Sequence, residues 1–143
     1  SIILVSACQP PVKHRLPARA APANGVPAAT MAKLRTVATR FFAAAAHGDT
    51  VAMQSVADGP GAMAWATEKA AAFPEFFKTT DGHLNLLHGY FLRMGSDTAI
   101  VELEVPFVTC RPPYHSGGND LYYLKFEPRG TLWLIGSIWS DPC

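Results

Sequence analysis

His88 and Tyr90 are the two side chains in this chain whose types and spacing come nearest to chemistry. They stand two apart in an apolar stretch with strand character, so they share one face of it. An imidazole beside a phenol in a dry pocket can work as general base and oxyanion donor. The competing reading is packing alone, with the tyrosine hydroxyl at a rim and the histidine bonded to backbone. The other combinations fall away. Gly117-Gly118 is not followed by the lysine and helix start of a phosphate cradle. The serines have no nucleophile elbow around them. His14, His47, His83, His88 and His115 lack a spacing that compels a metal, and no Cys-x-x-Cys pair is present. Neither a metal nor a cofactor is therefore expected. Twelve Lys and Arg against eleven Asp and Glu give a net charge of +1, which supplies no argument for a nucleic-acid partner. At 143 residues, 49% hydrophobic and 16% charged, the chain has material for one core and a tail.

Three cysteines, Cys8, Cys110 and Cys143, form an odd set. Ahead of Cys8 run Ile2-Ile3-Leu4-Val5-Ser6-Ala7, and after it Gln9-Pro10-Pro11 opens a proline-rich tract. Val5-Ser6-Ala7-Cys8 resembles the lipobox of bacterial lipoproteins, in which a branched apolar residue and two small ones precede the lipidated cysteine. The resemblance implies that residues 1–7 are the end of a signal peptide, cut before Cys8. It also implies a diacylglycerol on the Cys8 thiol and a place in the bacterial cell envelope, anchored to a membrane and facing outside the cytoplasm. Gln9 resembles the residues that let lipoproteins proceed to the outer membrane of a Gram-negative host. The alternative is an apolar N-terminal strand with a buried cysteine. With Cys8 lipidated, Cys110 and Cys143 remain to pair in an oxidising compartment. Closing that loop of about 34 residues stabilises a fold by roughly 3–4 kcal/mol in the chain-entropy picture. The other reading leaves two free thiols.

The elements that must position these groups follow from periodicity. Residues 8–29 carry prolines at 10, 11, 17, 22 and 27 and read as a semi-extended tether. Lys13, His14, Arg15 and Arg19 make it mildly basic, suited to water or to anionic lipid heads. A domain over 30–143 then starts with Thr30 as N-cap. Met31, Leu34, Val37, Ala38, Phe41, Phe42 and Ala45 follow at helical spacing up to Gly48. A short helix is expected over Thr50–Ala57 and a third over Ala62–Phe73, ended by Pro74. Phe76 and Phe77 are expected to close over the core from a connection. Four strands are expected over 83–94, 98–109, 121–127 and 131–140. In the second, Ala99, Val101, Leu103, Val105 and Phe107 point one way and Glu102 and Glu104 the other. In the fourth, strict alternation puts Trp133, Ile135 and Trp139 on one face and Leu132, Leu134 and Ile138 on the other. Helices followed by a meander of hairpins define an α+β class, with N-terminal helices packed on a curved four-stranded antiparallel sheet.

The run from Arg40 to Asp49, and the ending from Tyr122 through Gly130 to Trp139, resemble the nuclear-transport-factor-2-like superfamily. That superfamily includes SnoaL-like cyclases and ketosteroid isomerases, and a tryptophan often follows its last hairpin. The resemblance implies a cone-shaped cavity, used in different members as active site, as ligand pocket or for neither. For an active site inside the cone the candidates are His83, His88, Tyr90, Tyr122, Tyr123 and Asp81. The isomerase pattern of one tyrosine and two pocket aspartates finds no matching positions. For an apolar ligand the candidates are Trp65, Phe73, Tyr90, Tyr123 and Trp133, within an aromatic set expected to be mainly core. The function expected is a lipid-anchored, non-catalytic envelope domain that binds a small apolar ligand or a partner protein. The alternatives are a SnoaL-like isomerase, cyclase or hydrolase, and a structural subunit of an envelope assembly. The resemblance also implies a homodimer formed sheet to sheet.

Overall fold

A computed structural model describes residues 24–93, 97–109 and 119–141. Cys8, Cys110 and Cys143, and with them the lipidation and disulfide readings, lie outside the described residues. The order of elements is α1 (Ala28–Ala46), α2 (Thr50–Gln54), α3 (Gly61–Ala72), α4 (Phe76–Thr80), β1 (Asn85–Phe91), β2 (Ala99–Val105), β3 (Asp120–Arg129) and β4 (Leu132–Trp139). The strands form one antiparallel sheet in the order β1-β2-β3-β4, a simple meander. The fold is α+β, with an open four-stranded sheet beside the helices. Among the described residues no helix is long and apolar enough to cross a membrane.

Helix α1 starts two residues before the expected cap Thr30. Pro27, in extended backbone, precedes it, and the Met31 amide donates to the Pro27 carbonyl at 2.9 Å. A proline there gives up a donor that a helix start does not use. Just upstream, the segment zips onto the free edge of β1. The Val26 amide donates to Gly89 O at 3.0 Å, and the Phe91 amide to Asn24 O at 2.7 Å. Three residues within the expected tether thus cover an edge strand, where unpaired backbone groups would otherwise invite a foreign strand. The opposite edge is partly covered by α2's exit, where the Ile135 amide donates to Val56 O and the Asp58 amide to Ile135 O.

Gly48 has φ +66°, the left-handed conformation that ends a helix. Asp49 accepts from the Ala52 amide at 3.0 Å and caps α2. Helical spacing alone would carry α2 on to Ala57; it stops at Gln54, because 56–58 turns to pair with β4. The five-residue α4 falls where only a connection was expected. Adjacent Phe76 and Phe77 are both buried in it, and Thr80 is buried with its hydroxyl donating to Phe76 O.

Leu34, Phe41 and Phe42 of α1 pack with Val101, Leu103, Tyr122, Leu124 and Phe126 of the sheet to form the core. The alternation of β2 is as expected, with 99, 101, 103 and 105 fully buried. Two bulges shift the phase elsewhere. In β1, Leu87 and His88 together oppose Glu102, so Leu86 and then Gly89 meet the core partners Leu103 and Val101. In β4, Gly136 is the extra residue between the pairs Phe126–Ile135 and Lys125–Ser137. Ile138 therefore joins Ile135 in the core, and Trp139 turns to the outer face. This corrects the strict alternation expected for the last strand.

Candidate functional site

The β1 bulge decides the fate of the first candidates. His88 and Tyr90 do share a face, but it is the outer face of the sheet, with Ile100 opposite Tyr90 in the register. His88 Nε2 lies 3.2 Å from Glu102 Oε2, and the histidine side chain is 69% exposed. A solvated pair of this kind has no enclosed volume in which to hold a substrate against a base. Tyr123 is also on the outer face. Its ring stacks on Trp139 with centroids 5.7 Å apart, and its hydroxyl donates to Asp141 at 3.3 Å. His83 and Asp81 precede β1 at the turn after α4, outside the core cluster.

Rings line the inner face, against the helices. Trp65 stands edge-on to Phe76, Phe77 and Tyr122 at 5.4–5.9 Å, and Phe73 meets Phe107 at 5.8 Å. Trp65 and Lys69 on α3 and Phe73 at its C-cap recur every four residues. Lys69 Nζ sits 5.0–5.7 Å from the ring centroids of Trp65, Phe73, Phe76 and Tyr122. Each ring face attracts a cation. Burial nevertheless holds the Lys69 ammonium below its usual pKa of 10.5, while Asp120 and Glu68 pull it back up.

Beside this amine lies Asp120, one of the few buried polar residues of the described chain. Its carboxylate accepts from the Thr109 amide at 3.0 Å, the Thr109 hydroxyl at 2.6 Å and the buried Tyr122 hydroxyl at 3.0 Å. Burial first, and then the Asp120 charge, push the Tyr122 phenol well above its usual pKa of 10. An amine, a phenol and a carboxylate thus meet at one end of the inner face. Sequence reasoning named Tyr122 but missed Asp120 and Lys69. It started the third strand at Leu121; stepping two back from Tyr122 places Asp120 on the buried face. The four-residue spacing of Trp65, Lys69 and Phe73 marked the lysine.

Trp133 occupies a different place. It is half-buried at the edge strand β4, in a groove of about 470 Å³ between α1 and the β3–β4 hairpin. Val37, Val56, Leu132 and Leu134 supply apolar walls, and Lys33 and Arg40 stand on the α1 side. The volume is within the range of small-molecule sites. A second apolar hollow of about 300 Å³ lies among Ala45, Met53, Met63, Ala66 and Phe77. Of the five expected pocket residues, Trp133 alone lines either hollow; Trp65 and Phe73 are packed against the core, and Tyr90 and Tyr123 face outward.

Among the described residues no cluster of three or more His, Cys, Asp or Glu is placed to hold a metal ion. No protein-family model matches the chain, and comparison with curated proteins found no match.

Proposed function

We propose that this chain is a lipid-anchored cell-envelope domain of the nuclear-transport-factor-2-like type that binds a small apolar ligand without transforming it. Cys8 carries the lipid, the proline-rich tract is the spacer, and the α+β domain is the binding unit. One observation carries the binding assignment. Among the described residues, the groove beside Trp133 offers about 470 Å³ with apolar walls. Trp65, Phe73, Phe76 and Tyr122 pack on one another or on the core, whereas Trp133 lines the larger of the two apolar hollows described, and that supports the groove as the place for a ligand.

The test is native mass spectrometry of the protein purified from its own host, with Trp133→Ala beside the wild type. The expected result is a bound small molecule on the wild type, absent from the variant, on a chain that begins at an acylated Cys8. A ligand retained equally by both would overturn the groove assignment. An unacylated Cys8 would overturn the anchor.

A second reading is favoured by the Asp120–Tyr122–Lys69 cluster, since acid and base groups displaced from their usual pKa values are what an enzyme arranges. On that reading the domain is a SnoaL-like isomerase, cyclase or hydrolase. Loss of a measured turnover in Lys69→Met, with folding and groove binding intact, would select it.

A further inference from the structure

The groove beside Trp133 has a polar rim of one sign. Lys33 and Arg40 lie seven residues apart on α1, two helical turns, so both stand on one face about 10 Å apart along the axis. Thr36 lies between them on the same stripe. Among the described residues neither cation makes an ion pair, and no acidic residue lines the groove. Asp58, close to the hairpin, is already held by Arg129 at 2.6 Å. Below the rim, Val37, Val56, Leu132, Trp133 and Leu134 provide the apolar part.

Two unpaired cations above apolar walls are complementary to a molecule with an anionic head and a hydrocarbon body. We infer that the ligand of this groove is an anionic amphiphile of the fatty-acid class, its carboxylate between Lys33 and Arg40 and its chain along Trp133. The inference rests on the proposed binding function and names the ligand class for it. The apolar walls supply affinity through burial, at about 0.8 kcal/mol per CH₂ removed from water. The cations supply selection among head groups, because a cationic head would meet two like charges and a neutral head neither gain nor penalty. The long, exposed stems of Lys33 and Arg40 let both reach one head group despite their axial separation.

The experiment compares three amphiphiles with the same alkyl chain on the full-length protein, below their micelle concentrations and at low salt. They are dodecanoate, dodecyl maltoside and dodecyltrimethylammonium, titrated by calorimetry against wild type, Lys33→Glu/Arg40→Glu and Trp133→Ala. The expected result is dodecanoate binding about tenfold tighter than the maltoside, with the trimethylammonium weakest. High salt should shrink that spread, and the charge-reversed variant should invert it. Trp133→Ala should weaken all three. Equal affinity for the three heads, or preference for the cation, overturns the anionic class and leaves the groove reading standing. Failure of all three to bind, or binding unchanged by Trp133→Ala, overturns both. The charged positions are exposed and the wild-type comparison needs no variant, so the test does not hang on a substitution that unfolds the domain.

Discussion

Removing the Asp120 carboxylate tests whether the buried cluster is a structural unit. Asp120→Ala takes away the acceptor of the Thr109 amide, the Thr109 hydroxyl and the Tyr122 hydroxyl. Bonds to a charged acceptor contribute roughly 1.5–3 kcal/mol each, less whatever water restores. Thr109 is partly exposed, so its donors regain water. Tyr122 is 1% exposed, so its hydroxyl does not. The expected cost is therefore about 3–4 kcal/mol, a large part of a typical domain's 5–15 kcal/mol. Tyr122→Phe alone removes one donor and leaves Asp120 with Thr109, at the low end of that range, about 1.5 kcal/mol. In the Asp120→Ala background the same change removes an orphaned hydroxyl and should cost nothing or stabilise.

Urea unfolding of the four proteins, followed by circular dichroism, closes this double-mutant cycle. The expected coupling is about 1–2 kcal/mol. Costs that add to within about 0.5 kcal/mol would refute the reasoning, because the hydroxyl and carboxylate would then be independent. Asp120→Asn serves if the alanine variant unfolds. It keeps one acceptor oxygen and turns an amide donor toward Thr109 and Tyr122, so its cost should fall between wild type and alanine.

Three further outcomes follow from particular contacts. Because Lys69 is held below pKa 10.5, the native state sheds that proton before the unfolded chain does, so stability from this group rises with pH until 10.5. Tyr122, held above 10, keeps its proton longer in the native state, so its contribution falls above pH 10. Lys69→Met should abolish the first effect and keep the second, read as unfolding free energy against pH; an unchanged alkaline rise would count against the burial of this amine. Gly61→Ala would place a Cβ 2.7 Å from Gly136 O, against backbone that cannot move aside as a side chain would, at the β4 bulge. A loss of about 1–3 kcal/mol is expected from such overpacking, and a thermal midpoint equal to wild type would contradict the close approach of α3 to β4. His88→Ala should change stability by less than about 0.5 kcal/mol and leave ligand binding untouched; a functional loss would return the outer face to consideration.

The parts of the fold that were legible are those in which local pattern and final packing agree. Leu34, Ala38, Phe41 and Phe42 repeat at helical spacing and are fully buried; 99, 101, 103 and 105 alternate and are fully buried. What escaped depended on a partner elsewhere in the chain. Asp120 reads as a loop residue until Tyr122 fixes the phase of its strand and Thr109 supplies donors. Lys69 shares the spacing of Trp65 and Phe73, but its contact with the rings of Phe76 and Tyr122 depends on α4 and β3 packing beside it. The Trp133 groove exists only because α1 passes beside the hairpin.

The two bulges carry the same lesson furthest. Counted by twos from buried Leu86, uninterrupted alternation would bring His88 and Tyr90 to the inner face. The residue that arrives there is Gly89, and a Cβ at that position would stand 3.0 Å from both Met31 Sδ and Val101 Cγ2. A side chain there would require Met31 of α1 and Val101 of β2 to give by a few tenths of an ångström, so glycine is the residue that fits the position as packed. The strand has one extra residue at Leu87–His88 and brings glycine to the inner face, against Met31 of α1. A glycine inside an apolar strand marks such a site, and Gly136 marks the second one in β4, where Ile138 reaches the core and Trp139 leaves it. The solvated position of His88 thus follows from the bulge: the register seats Gly89 rather than a histidine on the inner face, against Met31 of α1.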